Sequence, residues 1–398
     1  MITLIKNIQE LLQVRETSIA KVSGSQMAEL PTIKNAFLVL KDNLIEDFGS
    51  MDNLPKINAD KTIDATGKVV LPSWCDSHTH IVYAGNREQE FVDRINGLSY
   101  EEIANRGGGI LNSAKKLNDS SEEEIYEQSK IRLEEVMHLG TGAVEIKSGY
   151  GLTVDGELKM LRVIQKLAEN YPIAIKATFL GAHAFPLHYK DDKAGYLDEI
   201  INEMLPEISK NKLADYVDVF CESGYFSVEE TERIMEAGKK YGLPAKIHVN
   251  QFTAINGIEA CVKHNALSVD HLEIVTDEDI EILKNSDTMP VALPSCSYFI
   301  SIPYTPARKM MEAGLPLALA TDFNPGSSFS ASVPLLFALA CIYMKMSPEE
   351  AVTAFTINSA AAVGRADKIG SIDVGKQADL VLLQFPSYKF LPYHVGMN

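Results

Sequence analysis

The sequence predicts a (β/α)8 barrel of the TIM type with a small β-sandwich domain formed by both termini. Three observations predict it. Strand-like runs alternate with amphipathic helical runs through the middle of the chain, as βα units do. Eight of these runs can be counted, ending near His80, Ser148, His183, Glu222, His248, His271, Ser295 and Asp322. Several end on histidine or aspartate, and a parallel barrel carries its active site on that rim. A doubly wound open sheet is the alternative, but no Gly-x-Gly-x-x-Gly follows a first strand.

The elements follow in order. The first 66 residues contain short strands bounded by turns: Ala36–Leu40, Leu44–Gly49 and Lys61–Gly67. The run Ile369–Leu383 has the same texture, which suggests one composite β domain from residues 1–66 and 366–398, with a barrel at 67–365 between them. Lys68-Val-Val-Leu-Pro72 reads as a buried strand leading to His78 and His80. Amphipathic helices over Ser121–Met137, Gly156–Ala168, Ser227–Tyr241 and Thr276–Lys284 separate later strands. No internal repeat, low-complexity tract or long linker interrupts the series.

A chain of 398 residues can form one large barrel and a small accessory domain. Its 46% hydrophobic content is ordinary for a soluble globular protein. A formal net charge of -17 argues against nucleic acid or an anionic membrane as partner. An anionic substrate would therefore need a local cation. The five cysteines are odd in number and form no C-x-x-C, so reduced thiols in a cytoplasmic protein are expected. The N-terminus lacks the apolar core of a signal peptide, and no stretch reaches the ~18 apolar residues of a membrane span.

His78 and His80 stand two residues apart, so on a strand both rings reach one face and can grip one ion. His248 ends the fifth strand-like run and Asp322 the eighth, completing a set of three nitrogens and one oxygen. That set suits Zn2+ and also Fe2+. An ion so held, with an open position, lowers the pKa of a bound water. His271, ending the sixth run, is the candidate to orient that water and relay its proton, with Asp322 as a second proton acceptor. His138, His188, His264 and His394 read as core or surface groups.

Seven segments carry a wider likeness: Asp76-Ser-His-Thr-His80, Arg106-Gly-Gly-Gly-Ile110, Glu145-Ile-Lys-Ser-Gly-Tyr-Gly-Leu152, Leu180-Gly-Ala-His-Ala184, His248-Val-Asn-Gln251, Asp270-His271 and Thr321-Asp-Phe-Asn-Pro-Gly-Ser327. On these the chain resembles the amidohydrolase superfamily over essentially its whole length, and within it the imidazolonepropionase family. The resemblance implies the barrel with its flanking β-sandwich and a homodimer. It implies hydrolysis of the ring amide C–N bond of 4-imidazolone-5-propanoate to N-formimidoyl-L-glutamate. It implies one divalent ion held by His78, His80, His248 and Asp322, with Arg87, Tyr150, His183, Gln251, Asn324, Gly326 and Ser327 touching substrate or product. Arg87 would pair with the propanoate carboxylate through its planar fork. Tyr100 and Tyr150 would add hydroxyl donors, His183 would bond the imidazolone ring, and the Gly107-Gly-Gly109 run would let a loop close.

Two absences sharpen the expectation. Binuclear members of the superfamily use a bridging carboxylated lysine on strand four, where this chain reads Val219-Phe-Cys-Glu-Ser223. Lys147 and Lys176 lie on other strands, so a single ion is expected. Related deaminases place a glutamate three residues after the strand-five histidine, where this chain has Gln251. An amide bonds but carries no proton at neutral pH, which leaves His271 and Asp322 for proton transfer. A cytosine- or guanine-type deaminase and a non-catalytic scaffold are the competing functions. The complete ligand set counts against the scaffold.

Overall fold

The computed structural model describes residues 1–98, 102 and 108–396. Five strands precede the barrel: β1 (Ile2–Leu12), β2 (Thr32–Lys41), β3 (Leu44–Ser50), β4 (Lys61–Asp64) and β5 (Val69–Pro72). The C-terminal strand β14 (Leu380–Leu383) joins them in one six-stranded sheet of order β14-β5-β1-β2-β3, with β4 also on β1. β14 runs antiparallel to β5, with Leu383 opposite Val69. Alternate side chains of this sheet, including Ile5, Ile8, Leu11 and Val70, build its own apolar core with Ile372.

The long β1 at the very N-terminus organises this sheet, and the sequence reading did not count it. Val69–Pro72 was expected to lead the histidine pair into the barrel. It pairs with β1 and β14 instead, and the pair rides on the next strand. A strand buried on both faces reads the same in either sheet, so only pairing could assign it.

The barrel strands are β6 (Trp74–Thr79), β7 (Thr141–Lys147), β8 (Ala174–Ala182), β9 (Tyr216–Cys221), β10 (Lys246–Val249), β11 (Ser268–His271), β12 (Met289–Ala292) and β13 (Ala318–Leu319). They are parallel and pair in chain order. Past the end of β13, Phe323 meets Thr79 in a parallel bridge that brings the last strand back to the first. Helices between strands start where the side chains tell them to. Ser121, Ser227 and Thr276 each form a capping box with an acidic residue three positions on. Among the described residues no helix is long and apolar enough to cross a membrane.

Candidate active site

The strand ends meet around a cavity of about 460 Å³ lined by His80, His248, His271, Gln251 and Asp322 below and by Arg87, Arg94 and Gly326 at one side. Barrel closure brings the outermost pair of strands into register there. The Asp322 N–H donates to the His78 carbonyl at 3.0 Å, and the His80 N–H donates to the Phe323 carbonyl at 2.9 Å. Asp76, at the start of the His-x-His motif, fixes the same seam. Its two oxygens accept from the Thr321 N–H at 3.1 Å and the Thr321 hydroxyl at 2.6 Å. Burial pushes the Asp76 carboxyl up to about 7. Asp322 itself sits at φ 54°, a left-handed turn that a non-glycine residue holds only where the surroundings fix it.

The donor atoms match a cation. His78 Nε2 and His80 Nε2 lie 3.3 Å apart, and each is 3.5 Å from Asp322 Oδ1. Ligands about 2.0–2.1 Å from zinc at tetrahedral angles stand roughly 3.4 Å apart, so the triangle is already of the right size. His248 packs against His78 with ring centroids 4.4 Å apart, and His78, His248 and His271 form a second close group. Burial drives His78, His80 and His248 well below the ordinary histidine pKa, leaving neutral rings with lone pairs to offer. Burial also lifts the Asp322 carboxyl to about 6, and a cation beside it acts in the opposite direction.

A buried charge network stands beneath these ligands. Asp270 Oδ2 accepts from His78 Nδ1 at 2.7 Å, and Asp218 Oδ2 lies 2.8 Å from His248 Nδ1. These carboxylates turn each imidazole so that Nε2 faces the cavity. Lys147 Nζ lies between them, 2.9 Å from Asp218, 3.7 Å from Asp270 and 2.7 Å from Glu145. Lys246 Nζ reaches Glu145 at 3.2 Å and donates to the Ser268 hydroxyl and Ala362 carbonyl. Burial alone would lower the Lys147 pKa, but Asp218, Glu145 and Asp270 together hold it above the ordinary lysine value. Sequence reasoning set Lys147 aside as misplaced for a bridge and gave Asp218 and Lys246 no role. The signal was present: charged residues inside apolar strand runs, such as Val217-Asp-Val219 and Ala245-Lys-Ile247, are rarely buried without partners.

His271 stands beside the ion site with Nδ1 3.3 Å from Glu273 Oε1, so its other nitrogen is turned away from the glutamate. Burial lowers its pKa, but Glu273, Asp322 and Asp270 together outweigh burial and the net shift is upward. His183 stacks on His80 at 5.5 Å and bonds the Gly149 carbonyl through Nδ1, while burial pulls its pKa down to about 4. Tyr150 and Gln251 also line the cavity, and Gln251 Nε2 donates to Cys296 Sγ at 3.4 Å.

The side wall differs in detail from expectation. Arg87 is half-buried, with its side chain largely covered, and its Nε and Nη2 both donate to Glu90 Oε2 at 2.8 and 2.5 Å. One edge of the fork is therefore taken, and Nη1 presses on Gly326, where a Cβ would collide with it. Arg94 Nη2 donates to the Gly326 carbonyl at 3.1 Å. Glu90 and Arg94 were missed, although both sit at helical spacing from Arg87 on Glu88–Ile95. Asn324 spends its side chain inside its own loop, accepting from the Gly326 and Ser327 N–H groups and donating to the Asp322 carbonyl. Ser327 Oγ lies 3.5 Å from Asp322 Oδ2. Tyr100, Arg106 and Gly107 lie outside the described residues.

The model of the amidohydrolase family matches residues 69–394. The imidazolonepropionase of Flavobacterium johnsoniae is 76% identical over 399 residues, covering 100% of this chain and 97% of that protein. The chain belongs to the imidazolonepropionase family of amidohydrolases. The same likeness holds at greater distance: the imidazolonepropionase of Clostridium tetani is 46% identical over 378 residues, 94% of this chain and 90% of that one. Among solved structures, guanine deaminase from C. acetobutylicum with bound guanine superposes with TM-score 0.70 at 16% identity, covering 96% of this chain and 91% of that one. A mutant atrazine chlorohydrolase from Arthrobacter aurescens, complexed with zinc and atraton, gives TM-score 0.70 at 15% identity, covering 96% and 87%. These two show the shared fold.

Proposed function

We propose that this chain hydrolyses the ring amide C–N bond of 4-imidazolone-5-propanoate to N-formimidoyl-L-glutamate, a step of histidine degradation. One divalent ion, zinc or iron, would be held by His78, His80, His248 and Asp322. The observation that carries the reading is the donor triangle on the cavity floor facing Arg87 on its wall, in a chain of this family. A bound ion supplies positive charge that lowers the pKa of water and polarises the lactam carbonyl.

The chain's own groups do the rest. His271, oriented by Glu273, accepts the proton of the attacking water on the nitrogen turned toward the ion site. Asp322 lies beside it to take and return a proton at the leaving ring nitrogen. Arg87 Nη1 and Arg94 give the propanoate carboxylate a cationic wall, which an acidic chain must supply locally. His183 and Tyr150 flank the ring, and Gln251 bonds without carrying a proton, which turns the reading away from a deaminase.

Five free cysteines fit a reducing cytoplasm, and a homodimer would sediment at twice the 43.8 kDa mass of one chain. The test of function is turnover of fresh 4-imidazolone-5-propanoate by protein of measured metal content, with cytosine and guanine alongside. Loss of imidazolone absorbance with about one ion per chain supports the reading. Turnover of cytosine or guanine instead would replace it with the deaminase.

A further inference from the structure

Behind the ion site lies a second group of metal-ligating side chains that the reaction does not use as ligands. The ligand atoms of His271, Glu273 and Cys296 all lie within 4.8 Å of one another, and all three residues are buried. His271 Nδ1 is 3.3 Å from Glu273 Oε1, and the Ser297 hydroxyl reaches the same oxygen at 3.4 Å. The other carboxylate oxygen, Glu273 Oε2, is buried with no hydrogen-bond partner among the described residues. A buried carboxylate oxygen left unpaired is costly, and a cation would satisfy it. His271 and Gln251 open this corner to the cavity, with Gln251 Nε2 resting on Cys296 Sγ.

From this cluster we infer that the chain has a second, inhibitory site for a thiophilic divalent cation, formed by His271 Nδ1, Glu273 and Cys296. One sulfur, one imidazole nitrogen and one carboxylate form a donor set suited to zinc, cobalt or cadmium rather than magnesium or calcium. On binding, the Cys296 thiol gives its proton to solvent and the thiolate bonds the ion. The bond to His271 Nδ1 forces the single proton of the neutral ring onto Nε2. That nitrogen then cannot accept a proton from water. An ion here therefore disables the proton relay while leaving the His78, His80 and Asp322 triangle in place. The site fills only when free metal exceeds what the first site takes up. In that state the cavity still holds its activating ion, yet turnover stops.

The test starts from protein carrying one equivalent of zinc and adds cobalt. A second bound equivalent should give a thiolate-to-cobalt charge-transfer band in the near ultraviolet, and Cys296→Ser should abolish the band. In parallel, excess zinc should lower turnover of 4-imidazolone-5-propanoate by about a hundredfold or more, the scale of losing a general base. In Cys296→Ser the inhibiting zinc concentration should rise by at least about tenfold, since outer-shell changes alone cost about 10–100-fold in metal affinity. Glu273→Gln gives a second variant should the first fold poorly, and it too should weaken the added cobalt. A second equivalent that binds without a thiolate band in the parent protein overturns the inference, as does equal zinc inhibition in parent and Cys296→Ser. The cobalt band needs no substrate, so it decides the matter even if the assigned reaction proves wrong.

Discussion

The floor and the side wall of the cavity are built on different principles. On the floor, buried carboxylates held by Lys147 turn His78 and His248, and backbone bonds of the closing barrel fix His78, His80 and Asp322. On the wall, Arg87 at the N-cap of the short helix Glu88–Ile95 and Arg94 within it reach Gly326, and among the described residues Glu90 steadies the Arg87 fork. The floor belongs to the fold, and the wall hangs from it. A family can therefore keep its ion chemistry while changing what it recognises, because the two jobs rest on separate parts of the chain.

That contrast can be broken, and the largest effect should fall on the floor. Asp322→Asn loses a ligand and a proton acceptor together, so kcat should drop by about 10³–10⁴, the upper range for acid–base groups. Near-parental turnover in a metal-loaded Asp322→Asn protein would remove Asp322 from the chemistry. Lys147→Met touches no ligand but frees both orienting carboxylates, and the ion affinity measured by chelator competition should fall about 10–100-fold. An unchanged affinity would mean that the strands alone orient the histidines.

On the wall, Arg87→Ala should raise KM by about tenfold with little change in kcat, as loss of a charged hydrogen bond of about 1.5 kcal/mol implies. A fall in kcat with KM constant would move Arg87 out of substrate binding. Asp76→Ala loosens the barrel seam without entering the cavity. It should cost about 1–3 kcal/mol of stability in denaturant titration, because the Thr321 N–H loses its buried acceptor.

The smallest effect is an expected absence of change. The folded-state pKa values of His78, His80 and His248 are depressed, so protons compete with the ion only below the ordinary histidine range. Dialysis at about pH 5.5, a unit below free imidazole, should leave the ion bound. Release at about pH 6.5 would show that burial does not protect the ligands.

Much of the floor could be read from the sequence, because the strand period and the histidine positions follow from local pattern. All eight predicted strand ends fall within three residues of the observed ones, and His271 coincides. The strand Val69–Pro72 was misread because apolar runs of that length carry no mark of which sheet they join. The lysine and aspartate network was passed over because its partners come from β7, β9, β10 and β11, and long-range pairing leaves no local period. The wall was half legible. Arg87 is visible as a charge near a strand end, but Glu90 gains its meaning only when a helix turns it toward the guanidinium.

The seam between the first and last barrel strands also sets a timetable. Asp76 and Thr321 are 245 residues apart in the chain, and they meet where the ligand triangle forms. At synthesis rates of about 5–20 residues per second, the histidine pair leaves the ribosome roughly 10–50 s before its aspartate partner exists. The complete donor triangle therefore forms only after Asp322, which closes the barrel seam, has been synthesised.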